Sequence, residues 1–181
     1  MKKCRITFLG DNNSLIIGDN TSLNCVSFVS EDDNNIICIG NKTSICGKTE
    51  LCAIEGTKIQ IGQDCLFSGD LHFRTGDSHS IIDFDSNRLN ASEDIIISDH
   101  VWVGTKVTCL KGVFVPPDCV VGACSLLNKK YVEPNSIIAG NPGRVVKNDV
   151  SWTRERVNYI KNNWVACIIG LEQPFALEKD K

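Results

Sequence analysis

Apolar residues recur every six positions over most of this chain. Ile17-Gly18-Asp19-Asn20-Thr21, Ile39-Gly40-Asn41-Lys42-Thr43 and Ile61-Gly62-Gln63-Asp64-Cys65 share one register, as do Ile97-Ser98-Asp99-His100-Val101, Val103-Gly104-Thr105-Lys106-Val107 and Val121-Gly122-Ala123-Cys124-Ser125. Each unit starts on an aliphatic residue, often followed by Gly, and carries a small or short residue four places on. A period of six is neither the 3.6 of an amphipathic helix nor the alternation of a long sandwich strand. It predicts an all-β solenoid, a chain wound into a prism whose flat faces are short parallel strands. The aliphatic residue points inward and stacks on its counterpart in the next coil. The small residue fits near a corner, and Gly, Asn and Asp supply the turns because they tolerate left-handed backbone angles.

Aligning Leu15, Ile37, Ile59 and Ile95 gives two steps of 22 residues and one of 36. Three hexapeptides make an eighteen-residue coil. The first two coils therefore carry about four extra residues each, expected around Glu31-Asp32-Asp33-Asn34 and Glu55-Gly56-Thr57. The third step adds a full coil's length, most of it in a break between about Leu71 and Asp94. After Leu127 the repeat decays, and Ile137-Ile138-Ala139-Gly140-Asn141-Pro142-Gly143 is expected to take the chain off the prism. A C-terminal α-helix follows in this scheme, capped by Asp149 or Ser151, with an apolar stripe of Val157, Ile160, Trp164 and Ile168 and a stop at Gly170. The expected division is residues 1–147 for the β-helix, with its loop at about 74–94, and 148–181 for the helix and a polar tail.

Composition narrows the function. A formal charge of -3 leaves no basic footprint for nucleic acid. The apolar run after Met1-Lys2-Lys3 ends near Leu9, too short for a secretory core. No stretch approaches the roughly 20 apolar residues of a membrane span, so a cytoplasmic protein is expected. The ten cysteines contain no Cys-x-x-Cys pair. Several fall in the repeats, with Cys65 and Cys119 in the small inward slot. That pattern fits small buried hydrophobes in a reducing compartment, with Cys4 and Cys167 outside the repeats.

Three histidines are present. His79 lies in the break, within Gly76-Asp77-Ser78-His79-Ser80-Ile81-Ile82-Asp83, two residues after an Asp that could set its tautomer. Imidazole titrates near neutral pH, so His79 is the candidate general base. His72 falls on a strand and reads as structural, and His100 as a solvated turn residue. Their spacing does not match the three-histidine zinc site of β-helical carbonic anhydrases, and no metal is expected. Trp102 occupies an outward position, where it either packs under the loop or in a subunit interface, or walls a ligand site.

The run Asp94-Ile95-Ile96-Ile97-Ser98-Asp99-His100-Val101-Trp102-Val103-Gly104 resembles the signature coil of hexapeptide-repeat O-acetyltransferases. So do Val121-Gly122-Ala123-Cys124-Ser125-Leu126-Leu127 and Ile138-Ala139-Gly140-Asn141-Pro142-Gly143-Arg144-Val145-Val146. The segment Asp77 to Asp83 is most similar to the capsular and polysialic-acid branch. The resemblance covers about Leu15 to Lys147. It implies a left-handed parallel β-helix, a homotrimer, and acetyl-CoA bound between subunits. By position it implies His79 as the base and Trp102 in the site near the thioester. Thr105 and Ala123 would meet the pantetheine arm, Asn128 and Lys129 the far end of the cofactor, and Arg144 and Lys147 its phosphates. Cys124 stands where Gly is common and Asn128 where Thr is. Arg74, Asp77 and Arg88 are candidate acceptor contacts, the arginines suiting an acidic sugar such as sialic acid. The implied activity is acetyl transfer from acetyl-CoA to a hydroxyl of a sugar or polysaccharide such as a capsule. The alternatives are an amino-sugar N-acetyltransferase and a non-catalytic structural β-helix.

Overall fold

The computed structural model describes residues 1–157, and they form a three-faced parallel solenoid of about six turns. The first coil holds β1 (Arg5–Leu9), β2 (Ser14–Ile17) and β3 (Ser22–Leu23), and the second β4 (Val26–Glu31), β5 (Ile36–Ile39) and β6 (Ser44–Ile45). The third holds β7 (Thr49–Ile54), β8 (Lys58–Ile61) and β9 (Leu66–Phe67), and the fourth β10 (Leu71–Arg74), β11 (Ile95–Ile97) and β12 (Trp102–Val103). The fifth holds β13 (Thr108–Cys109), β14 (Phe114–Val115) and β15 (Val120–Val121). The last has β16 (Leu126–Leu127) and β17 (Ile137–Ala139), closed by β18 (Arg144–Lys147). Strands β1, β4, β7, β10, β13 and β16 stack as the first face, β2, β5, β8, β11 and β14 as the second, and β3, β6, β9, β12, β15, β17 and β18 as the third.

The register is the one that the repeat predicts. Leu15 pairs with Ile37, Ile37 with Ile59, and Ile59 with Ile95. Inward residues form continuous buried columns. Leu23, Ile45, Phe67, Val103, Val121 and Ile138 run up the third face, and Phe28, Leu51, Phe73, Cys109 and Leu127 up the first. Cys65 and Cys119 are buried in the corner slot. The Gly after the aliphatic residue is a packing requirement. A Cβ at Gly40 would lie 2.5 Å from the carbonyl carbon of Gly62, so only Gly lets the coils close up there. Turn residues are less restricted in type than expected. Lys42, His100, Lys106 and Cys124 all hold positive φ alongside Asn20, Asp64 and Asp118.

The extra residues of the second and third coils sit at the corner between the first and second faces, where β4 and β7 each run to six residues. Asn35 is buried there. Its amide donates to the carbonyls of Glu31 (2.7 Å) and Asp32 (3.1 Å) and accepts from the Thr57 N–H (3.2 Å). The Thr57 hydroxyl in turn donates to the Thr75 hydroxyl (2.6 Å). The long excursion of the fourth coil leaves from this same corner, on top of that ladder.

Two expectations at the C-terminal side are corrected. The Gly140–Gly143 cluster does not take the chain off the prism. It turns the chain back, and β18 pairs antiparallel with β17, Arg144 opposite Ala139 and Lys147 opposite Ile137. No helix starts at Asp149 or Ser151, since residues 148–157 are irregular. Trp152 instead docks on the third face, where the carbonyl of His100 accepts from its indole N–H (2.8 Å). The rest of the expected helix, Ile160, Trp164, Ile168 and Gly170, and the tail lie outside the described residues.

Candidate active site

The excursion spans residues 75–94, between β10 and β11. Its tip is a tight hairpin. The Leu89 N–H donates to Ile81 O (2.8 Å) and the Asp83 N–H to Asn87 O (3.0 Å), with an antiparallel bridge between Ile82 and Arg88. The Asp83 carboxylate caps the turn, accepting from the Asp85 and Asn87 N–H groups (2.9 and 2.8 Å) and from the Asn87 amide. Those bonds, the Asn87 side chain first, hold its carboxyl below the usual range. At the base, Glu55 accepts from Ser92 (2.7 Å) and pairs with Arg88 (2.8 Å).

His79 lies on the ascending limb, exposed to solvent. Its ring makes no hydrogen bond among the described residues, but its backbone is held on both sides. Before it, Ser78 holds φ of 59°. The Ser78 hydroxyl donates to Glu31 (2.7 Å) and accepts from Arg74 (2.6 Å), while Arg74 and Glu31 pair at 3.2 Å. The Ser78 hydroxyl and then the Arg74 guanidinium hold the Glu31 carboxyl down against partial burial. Beneath this pair, burial pushes the Cys52 thiol up to about 12, which leaves it neutral and unreactive. Around His79, Asn90 donates to the His79 carbonyl (2.8 Å) and to Asp77 (2.8 Å).

Asp77 does not set the His79 tautomer. Its carboxylate is taken by Lys111 (2.5 Å) and Asn90, and those two bonds hold its carboxyl low. Arg74 and Arg88 have carboxylate partners in Glu31 and Glu55, and both pairs are partly exposed.

Trp102 projects from the third face, 39% exposed. That face lies opposite the corner carrying the loop, so a single chain does not bring His79 and Trp102 together. Around Trp102 is a second cluster that the sequence did not reveal. The Trp152 ring lies 6.1 Å from the Trp102 ring and stacks on His100 at 4.4 Å, with planes 11° apart. His100 Nδ1 meets Asp118 at 2.8 Å. His100 is a turn residue with φ of 52°, as expected, and its ring is partly exposed, with Trp152 stacked on it. Arg154 straps the segment down, bonding Asp64 (3.2 Å) and the Cys65 carbonyl (3.0 Å). His72 pairs with Glu50 on the first face (3.3 Å).

The candidate cofactor residues fall into two groups. Thr105, Ala123 and Arg144 lie toward the corner between the third and first faces, and Lys147 on β18 falls in the same register column as Ile137, Val120 and Trp102. Asn128 and Lys129 follow β16, at the loop's corner, with the Lys129 ammonium 5.5 Å from the centre of the Tyr131 ring. Lys129, Arg144 and Lys147 make no ion pair among the described residues, in contrast to Arg74, Arg88 and Lys111. No group of three or more His, Cys, Asp or Glu side chains among the described residues is placed to hold a metal ion.

Sequence reasoning missed Asn90, Lys111, Glu31 and Trp152. No local signal marked Asn90. The others act across separations of 21 to 52 residues that no local pattern encodes.

The six-residue repeat, wound into a parallel solenoid, matches the left-handed β-helix fold of an acetyltransferase, and the relatives of the chain are acyltransferases. The chain is 34% identical over 172 residues to a polysialic acid O-acetyltransferase of Neisseria meningitidis, covering 80% of it. It is 33% identical over 119 residues to one of Escherichia coli O1:K1, of which it spans 38%. Its fold matches the crystal structure of the polysialic-acid-specific acetyltransferase NeuO with a TM-score of 0.70 at 31% identity, covering 87% of this chain and 76% of that one. It matches the polysialic acid O-acetyltransferase OatWY at 0.60 and 29%, covering 94% and 98%. No family model matches the chain. The chain belongs to the polysialic acid O-acetyltransferase family. At that level it is an acyltransferase, of the class that O-acetylates sugars.

Proposed function

We propose that the chain transfers the acetyl group of acetyl-CoA to a hydroxyl of a sialic-acid polymer or a related surface glycan in the cytoplasm, with His79 as general base, in a site formed between the copies of a homotrimer. The observation that carries this reading is the placement of His79. It sits on a loop braced to the solenoid at both flanks, with its ring left open to solvent, in a chain whose relatives are named for O-acetylation of polysialic acid.

Acetyl-CoA supplies the acetyl group as a thioester, already activated for attack. His79, neutral, accepts the proton of the acceptor hydroxyl as that oxygen forms its bond to the acetyl carbon. The same imidazolium then returns the proton to the departing sulfur, so the base is regenerated and no covalent enzyme intermediate is needed. A backbone N–H facing the carbonyl oxygen stabilises the charge that develops there. Trp102 supplies an apolar wall beside the thioester. The small turn residues Thr105 and Ala123 leave room for an extended arm along the edge next to it. Lys129, Arg144 and Lys147, which have no ion-pair partner among the described residues, suit the phosphates of a nucleotide end.

His79→Ala is the direct test. It is expected to lower acetyl transfer by about a hundred- to ten-thousandfold while acetyl-CoA binding survives. Near-normal turnover removes His79 from the mechanism.

A further inference from the structure

Asn90 is 7% exposed in a loop whose neighbouring residues are mostly solvated. A buried amide keeps a place in an exposed loop when its hydrogen bonds are specific. Here all four hydrogen-bonding positions of the side chain are used, and three of them address alternate residues around the candidate base. Oδ1 accepts from the Ile81 N–H (2.7 Å) and from Arg88 Nε (3.3 Å). Nδ2 donates to the His79 carbonyl (2.8 Å) and to Asp77 Oδ2 (2.8 Å). The backbone of Asn90 is itself anchored, because Lys111 Nζ donates to its carbonyl (2.9 Å) and also holds Asp77. Lys111 lies between β13 and β14, on the rigid coil above the loop. Residues 77, 79 and 81 thus hang on one amide, and that amide is tied to the solenoid by one ammonium.

We infer that Asn90 is a positioning residue for the reaction. It sets the backbone from which His79 reaches the acceptor hydroxyl, with Lys111 as its anchor. The inference rests on the assignment of His79 as base. Positioning matters because a misplacement of about 1 Å in a general base can cost about a hundredfold in rate.

The test is a double-mutant cycle of His79→Ala and Asn90→Ala, scored by kcat and by KM for acetyl-CoA in protein whose thermal midpoint and assembly state have been measured. In the wild-type background Asn90→Ala is expected to lower kcat about ten- to a hundredfold and to leave KM for acetyl-CoA unchanged. On top of His79→Ala it is expected to cost nothing further, because a residue that acts only through His79 has no effect once the imidazole is gone. Wild-type kcat in Asn90→Ala overturns the inference. So does an equal loss in both backgrounds, which marks a merely structural role. If His79→Ala itself retains turnover, it is the assignment of the base that fails, and the two failures are distinguishable. Should Asn90→Ala not fold, Lys111→Met takes its place in the cycle. It leaves the Asn90 side chain intact and removes its backbone anchor together with the ammonium partner of Asp77. It is expected to lower kcat by a smaller factor with the same dependence on His79, and a loss that persists in the His79→Ala background overturns the inference.

Discussion

Glu31 and His79 are 48 positions apart in sequence, yet the carboxylate of one holds the hydroxyl beside the other. Because the Ser78 hydroxyl and Arg74 lower the Glu31 pKa in the folded chain, the ionised form contributes stability above the unfolded pKa. That contribution is lost as pH falls through the folded value. The pair is partly exposed, so the effect is modest. Wild type is expected to melt above Glu31→Gln at pH 7, and the gap should close as the pH drops below about 4. A gap of the same size at pH 3 and pH 7 rules out ionisation of Glu31 as its source. The cysteines act at this scale too. Burial pushes the Cys65 thiol up to about 11 and Cys109 well above its ordinary value, as befits packing groups rather than nucleophiles.

At the scale of elements, one corner carries the specialisation. The strands of the first face that lead into this corner run to six residues in the second and third coils, the connection becomes the 75–94 loop in the fourth, and the strand shortens to two residues in the fifth. The opposite face ends in β18, whose antiparallel return places Arg144 and Lys147 on an exposed terminal strand with no carboxylate partner among the described residues. If these two side chains meet the phosphates of coenzyme A, the double variant Arg144→Ala, Lys147→Ala should raise KM for acetyl-CoA several-fold, by about 1 kcal/mol or more of lost binding, with kcat nearly intact. The salt dependence of acetyl-CoA binding should weaken with it. An unchanged KM places the nucleotide end elsewhere.

For the whole molecule, the decisive fact is that His79 and Trp102 occupy opposite sides of the prism. Contact between the loop corner of one copy and the third face of the next is heterologous, and it closes into a ring when the rotation allows. Three copies would then form three identical sites, each taking His79 from one chain and Trp102 from its neighbour. Light scattering is expected to report a trimer at assay concentrations. The shared site has a sharper consequence. Two inactive variants, His79→Ala and Trp102→Ala, should recover activity when co-assembled, because some interfaces then carry both wild-type residues. A monomer in solution, or no recovery in trimers shown to be mixed, defeats the shared site.

The six-residue period alone determined the prism, its register and the place where it breaks, because a solenoid coil contacts only its neighbours and each repeat must therefore carry its own packing code. Leu15, Ile37, Ile59 and Ile95 stack as their spacing requires. His79 stood out for the same reason, as a titratable side chain where that code lapses. What only the tertiary structure decided is which side chains meet. Arg74 and Arg88 pair with Glu31 and Glu55, and Asp77, two residues before His79, is bound by Lys111. His100, at a turn as expected, also stacks on Trp152, and the segment after Lys147 runs back over the third face without forming a helix through residue 157. These pairings join residues that lie far apart in sequence and close in space only once the coils are stacked. They depend on the geometry of the corner and the loop, which no local pattern of apolar and polar residues carries.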